Sequence, residues 1–372
     1  RRPPRSTPKP SSAASDVYKR QELILIVTAS HLLDDYGKTV EVIKRDGFEI
    51  SSIARTVAAG QDLESMVKSV GIGCLELPTL FDIYKPDVVL IAADRFDILP
   101  AAISAAMMNI PVAHIQGGEV TGSIDESIRH AVTKLSHLHF PATKKSAERI
   151  IKMGEPPETV FTVGCPAVDI ILRIKEKIKN ISREEICLKY GMDPDEPFLI
   201  VIQHPVTTEY NSVREQMHET LQALYKLQIQ TIYLWPNVDA GSKDMVREVR
   251  LFTMKHKMKR MLKYKHIVFE DFLALLAHCA CIVGNSSSGI REACYFGTPA
   301  VNIGTRQNGR ERGRNVIDVD YDRHQIEKAI LKALDIGRFE PEYIYGRGDA
   351  GKKIAEILAN YEFKTVQKRL TY

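Results

Sequence analysis

No stretch of this 372-residue chain approaches the roughly 20 consecutive apolar residues that a membrane-spanning helix needs. Its six cysteines (Cys74, Cys165, Cys187, Cys279, Cys281, Cys294) form no CxxC pair and show no Cys/His ligand spacing. Zinc modules and disulfide frameworks lose their sequence support, and reduced thiols in a cytoplasmic chain are expected. Cys279-x-Cys281 straddles a strand start and reads as core packing. There is no GxGxxG, no Walker loop and no GxSxG, which argues against dinucleotide, ATP and serine-hydrolase chemistry. HExxH-type spacing is missing as well, so no metal or other cofactor is expected.

The excess of positive charge, +4 overall, is misleading. Residues 1–20 hold six of the basic and one of the acidic residues, leaving 45 basic and 46 acidic in the body, a net of −1. Nothing beyond that leader asks for nucleic acid or a membrane surface, and the basic run Lys255–Lys265 reads as a helix face. The leader has four prolines and no apolar run, so it is no signal peptide, and it is expected to be disordered and non-native.

What is present is a strand–helix alternation. Glu22–Thr28 (ELILIVT), Val88–Ala92, Pro111–Ile115 and Phe198–Ile202 are continuous apolar runs, typical of strands covered on both faces of a parallel sheet. Further strands are expected at Phe161–Val163, Thr231–Trp235, His266–Phe269, Cys281–Val283 and Ala300–Ile303. Apolar spacing predicts helices at Ala101–Met108, Asp125–His139, Ile170–Ile181, Ser212–Leu227, Phe272–His278 and Ala350–Tyr361. The expected fold is α/β: two Rossmann-like, doubly wound parallel-sheet domains, residues 21–186 and 187–349, facing a cleft. A C-terminal segment, 350–372, is expected to return to the first domain.

In open parallel sheets, ligands bind beyond the carboxyl ends of the strands. Asp94, Gln116 and Glu119, His204, Asn237, Ser286 and Ser287, and Arg306 all fall just past predicted strand ends. From Cys281 to Arg314 a short strand breaks into Gly-Asn-Ser-Ser-Ser-Gly, a helix starts, and a loop with Arg306, Arg310, Arg312 and Arg314 follows the next strand. Such a turn offers free amides and hydroxyls to an anion, with arginines able to converge on it. The plainer alternative is a serine cap on an ordinary helix with solvated arginines. Asp94 reads as a buried general acid or base, or as a helix cap paired with Arg95. Glu119 and Asp125 read as acid/base groups, or as charges complementing a helix dipole. Gln116 cannot move protons at neutral pH.

Four stretches carry a resemblance: NSSSGIREACYFGTPAVNIGTRQNGRERG (from Asn285), AADRFD (Ala92–Asp97), HIQGGEVTGSIDESIRHAVTKLSH (His114–His137) and QHPVTTE (Gln203–Glu209). In order, across both halves, they resemble the hydrolysing UDP-N-acetylglucosamine 2-epimerases of sialic acid biosynthesis. The resemblance implies a GT-B-like domain pair, a UDP-sugar substrate, no cofactor, and a homodimer or homotetramer. It implies that a base removes the sugar's C2 proton as UDP leaves C1, and that water then adds to the glycal. Asp94, Glu119, Asp125 and His204 are the implied catalytic groups, His204 as a protonated imidazole beside the diphosphate. Arg95, Gln116, His130, Asn237, Ser286, Ser287, Gly289, Glu292 and Arg306 are the implied substrate contacts, Glu292 towards the ribose. Relatives begin with a further strand and an arginine-bearing loop, so the first domain is expected to lack its first, central strand. Three other readings stay open: action on a UDP-2,4-diacetamido-2,4,6-trideoxy sugar, non-hydrolysing epimerisation, and an inactive nucleotide-sugar binding fragment.

Overall fold

Apolar strands followed by amphipathic helices alternate through the described residues. The computed structural model describes residues 22–34, 38–60, 62–92, 94–237, 239–363 and 366–372; the expected leader lies outside them. The first half runs β1 (Ile26–Thr28), α1 (Val40–Arg45), β2 (Ser52–Ala54), α2 (Leu63–Tyr84), β3 (Val89–Ala92), α3 (Leu99–Met107), β4 (Val112–Ile115), α4 (Ile124–Leu135), β5 (Leu138–Phe140) and α5 (Lys144–Lys152). α6 (Pro166–Ile178) and α7 (Arg183–Lys189) lead into β6 (Phe198–Ile202), α8 (Val213–Leu227), β7 (Gln230–Leu234), α9 (Ser242–Lys255), β8 (Met261–Tyr264) and α10 (Phe269–His278). The chain ends with β9 (Cys281–Gly284), α11 (Arg291–Phe296), β10 (Ala300–Ile303), β11 (Val316–Val319), α12 (Arg323–Ile336) and α13 (Ala350–Asn360).

Every strand pairing is parallel. The second domain has one six-stranded sheet, ordered β11-β10-β9-β6-β7-β8. Side chains of β6 alternate between its faces: Phe198, Ile200 and Ile202 pack with α6, α7 and α10, whereas Leu199 and Val201 pack with α8, α9 and α12. The first domain carries its strands as two sheets, β1-β2 and β3-β4-β5. Among the described residues no strand pairing joins these two sheets. One core unites α2, α3, α4 and β3, and another joins β4 and β5 to Ile354 and Ile357 of α13.

Four expectations need correcting. The helix expected to reach His139 stops at Leu135: Ser136 turns extended with its hydroxyl on the Val132 carbonyl, and the His137 amide bonds to Val112, steering the chain into β5. Phe161–Val163 is not a strand, because its partner segment includes Pro141, which has no amide hydrogen to return a bond. The strand expected at His266–Phe269 lies earlier, as β8; its Lys263 stands at a sheet edge, where a cation discourages further pairing, and with the lysines flanking the strand it looked like part of a helix face. Lastly, Val168, Ile171, Ile174 and Ile178 of α6 pack on the second domain, so the crossover falls at Gly164–Pro166 and not near residue 187. There Gly164 (φ +95°) lies against Gly346 (φ +121°), where the chain passes between the domains again.

Gly284 ends β9 at φ +124°, and a Cβ there would overlap the Ile202 carbonyl of the neighbouring strand. Both strain and overlap act on one methyl group. Gly284→Ala should destabilise the protein by about 2–4 kcal/mol. A urea midpoint unchanged from the parent would contradict this.

Candidate active site

Three carboxylates of the first domain meet three arginines of the second. Asp94 follows β3, Glu119 lies in the loop after β4, and Asp125 stands in the first turn of α4. Facing them, Arg291 pairs with Glu119 Oε2, and Arg310 lies 3.3 Å from the same oxygen and 3.9 Å from Asp94 Oδ2. Arg306 lies 3.8 Å from Asp125. Arg129, fully buried on α4, joins from the first domain, donating Nε to Asp94 Oδ2 at 3.0 Å and Nη1 to the Glu119 carbonyl at 2.7 Å. Among the described residues, three atoms at the centre are buried without a hydrogen-bond partner: Glu119 Oε1, Arg291 Nε and Arg310 Nε. Buried polar atoms are almost always satisfied, so these three mark where a ligand's polar groups fit.

Strand ends of the second domain make the opposite wall. Asn285, buried after β9, accepts the His204 amide at 2.7 Å and donates to the His204 carbonyl at 2.8 Å, stitching the ends of β6 and β9 together. Its own carbonyl accepts Gln307 Nε2 at 2.8 Å and Arg306 Nη1 at 3.2 Å. The arginine loop is thereby held over the serine turn. Ser286 caps that turn by accepting the Ser288 amide at 3.3 Å, and one carboxylate oxygen of Glu292 is buried without a partner.

Of the expected contacts, Arg306, Ser286, Ser287 and Glu292 share this wall. Gly289 does not fit a ligand role: its amide bonds to the Ser286 carbonyl, and a Cβ there would touch Ala300 and Ile282. It is needed for close packing on the sheet. Gln116 is fully engaged, donating to Cys165 Sγ at 2.8 Å and accepting from Arg291 at 2.9 Å, on a backbone of φ +66°. Arg95 lies 3.5 Å from Asp97 and 3.6 Å from Asp239, an ion pair that spans the cleft. His130 lies 3.6 Å from Glu126, with its Nδ1 buried and unpartnered. Asn237 contributes through its backbone, its amide donating to His204 Nδ1 at 3.1 Å.

The protonation states follow from these partners. Burial works to raise the Asp94 carboxyl, but Arg129 and Arg310 outweigh it and hold it down to about 2. Burial raises Asp125, and the neighbouring charge of Asp94 raises it further. His204 is the main correction. Burial, then Arg306 and Arg95, push it well below the ordinary histidine range, and Nδ1 already accepts the Asn237 amide. Burial, the two arginines and the accepted amide favour a neutral ring with its proton on Nε2, in place of the protonated imidazole that the resemblance implies.

Arg291 and Arg129 were the residues that pattern reading passed over. Each sits inside a quoted motif, on a helix, where an arginine ordinarily reads as solvated. Their signal was the short spacing from Ser286 and Asp125, which puts both on the cleft side of their helices.

The sequence matches the UDP-N-acetylglucosamine 2-epimerase family over residues 15–359. The chain belongs to that family. It is 40% identical over 337 residues to a hydrolysing UDP-N,N'-diacetylbacillosamine 2-epimerase of Legionella pneumophila, covering 91% of this chain and 88% of that one. It is 33% identical over 366 residues to a UDP-N-acetylglucosamine 2-epimerase of Neisseria meningitidis, covering 97% and 94%. Among solved structures, the Methanocaldococcus jannaschii UDP-GlcNAc 2-epimerase in complex with UDP-GlcNAc and UDP superposes with a TM-score of 0.71 at 18% identity, over 91% of this chain and 99% of that one. That likeness establishes the GT-B-like fold for this 2-epimerase family member.

A neutral, buried His204 favours the folded state above the ordinary histidine pKa of about 6.5, and that contribution is lost as pH falls below it. NMR of its ring carbons should show a neutral ring from about pH 8 down to pH 6, and UDP affinity should show no midpoint near 6.5. A His204 titration near 6.5 would restore the cationic role.

Proposed function

We propose that the protein is a hydrolysing 2-epimerase of a UDP-2-acetamido sugar. The observation that carries this reading is Glu119, one oxygen clamped between Arg291 and Arg310 and the other buried and free. A carboxylate fixed by one oxygen presents the other as an aimed base. Glu119 Oε1 takes the C2 proton as the C1–oxygen bond to UDP breaks, giving the glycal. Asp125, whose surroundings favour the protonated form, returns a proton to C2 from the other side. Water adds its hydroxyl to C1, its remaining proton restores Asp125, and Glu119 gives the C2 proton up to departing UDP or to solvent, which restores the base. The products are UDP and the free sugar inverted at C2. Asp94 stays ionised and orders Arg129 and Arg310, a role distinct from the proton transfer expected of it.

Departing UDP takes the C1–oxygen electron pair and gains one negative charge on its β-phosphate, which needs donors. Arg306, the Ser286 and Ser287 hydroxyls and the His204 Nε2–H supply these donors in a water-poor cleft. Among the described residues no group of three or more His, Cys, Asp or Glu side chains is arranged to hold a metal ion. In this reading arginine takes the role a divalent cation plays elsewhere.

For the sugar, UDP-N-acetylglucosamine converted to N-acetylmannosamine, as in sialic acid biosynthesis, is the first reading. UDP-N,N'-diacetylbacillosamine is the second, supported by the 40% identity to the Legionella enzyme. A proton NMR time course in D2O with each nucleotide sugar tests both. Free sugar, UDP and deuterium at C2 are expected; a UDP-linked epimer would mean non-hydrolysing chemistry, and no turnover of either would overturn the proposal.

Glu119→Gln should lower kcat by about 10²–10⁴-fold while UDP still binds, the usual scale for a general base. A rate within about threefold of the parent would remove Glu119 from proton transfer. Arg306→Ala should weaken UDP binding by about 1.5–3 kcal/mol, as for a charge-assisted hydrogen bond. EDTA should change neither binding nor turnover; calorimetry in which affinity collapses with EDTA would place the phosphates on a metal.

A further inference from the structure

The loop that aims Glu119 is gripped from two helices. Arg129 of α4 donates to the Glu119 carbonyl at 2.7 Å, and Arg149 of α5 donates to the Gly118 carbonyl at 3.1 Å. One turn beyond Arg129, Thr133 Oγ1 lies 3.3 Å from His114 Nδ1, beneath Gly117 of the same loop. Wherever those helices sit, Glu119 goes.

At their far ends the two helices are tied together by a buried carboxylate that the reaction does not use. Glu155, just past α5, meets Lys134 of α4 at 2.5 Å, His139 of β5 at 3.1 Å and Lys368 at 2.7 Å. Burial works to raise this carboxyl, but its hydrogen bonds to His139, Lys134 and Lys368 hold it down to about 2. Lys368 comes from the C-terminal segment, and its ammonium also reaches the Thr133 carbonyl at 3.3 Å, the Lys134 carbonyl at 2.9 Å and the Ser136 carbonyl. Those carbonyls lie at the C-terminal end of α4, where a cation is favoured; the Thr133 one also accepts the Ser136 amide at 3.1 Å. The segment is seated on both sides of this lysine: His137 Nε2 lies 3.0 Å from the Val366 carbonyl, and Gly154 leaves just enough room for Tyr372.

We propose that Lys368 is a positioning residue: by capping α4 and bridging it to Glu155, it locks α4 and α5 in the register that aims Glu119. The proposal rests on the reading of Glu119 as the base. It predicts an effect on chemistry transmitted over two helices, with UDP's own site on the second domain untouched.

The variant to make is Lys368→Met, which keeps the stem and removes the charge; Glu155 retains Lys134 and His139, so the fold is expected to survive. Lys368→Met should lose about tenfold in kcat, since small misplacements of a catalytic group are costly. Its UDP affinity by calorimetry should stay within twofold, and Lys368→Arg should recover most of the rate. Hydrogen exchange over residues 124–135 should quicken while the six-stranded sheet keeps its protection. Unchanged kcat, a matching loss of UDP affinity, or exchange quickened throughout the protein would each overturn the proposal. If Lys368→Met fails to fold, Lys368→Gln is measured in the same way. If the parent turns over no UDP-2-acetamido sugar, the base assignment falls, and the exchange pattern over 124–135 still decides whether Lys368 holds α4.

Discussion

Glu119 between Arg291 and Arg310 is the interaction on which the cleft depends. It joins the two domains, and it does so out of contact with water, where an unpaired charge would be expensive. Replacing such a cluster with apolar side chains would often cost nothing in stability. Its presence is therefore better explained by what it does than by what it holds together. The same arginines that fix one carboxylate oxygen leave the other buried and bare, so the grip and the reactivity have one origin. Around it the remaining charges sort themselves: Asp94 is committed to Arg129, Asp125 is raised by burial and by the charge of Asp94, and burial together with Arg306 and Arg95 favours a neutral His204.

Strand ends were the most legible feature of the sequence. Apolar runs such as FLIVI and DVVLIAAD are buried on both faces for a simple reason, and the residue after each run must lie at the edge of a parallel sheet. That reasoning brought Asp94, Glu119, His204, Ser286 and Arg306 to one cleft without any knowledge of a fold. What it could not see were partnerships across the chain. Whether Gln116 is free or engaged depends on Cys165 and Arg291, far away in sequence. Whether His204 is charged depends on an amide donated from Asn237. Gly289 was read as a ligand contact because it stands in a serine turn, but its missing side chain serves the packing against Ala300.

Boundaries failed where one residue carries two messages. Lys263 in β8, with the lysines on either side of the strand, looks like a solvated helix face and is also what a sheet edge needs. The apolar stripe of α6 states that the helix is buried, and it cannot state on which domain. Its burial beside α10 moves the division of the chain by some twenty residues towards the N-terminus.

The meeting of Gly164 and Gly346 bears on how the two halves can move. Both chain crossings pass through one point, and at that point neither brings a side chain. Two bare backbones in contact form an axle of minimal thickness, and rotation about it needs only torsions that glycine accepts without strain. The molecule resembles a pair of jaws whose pin is made of nothing but main chain, and whose teeth are salt bridges.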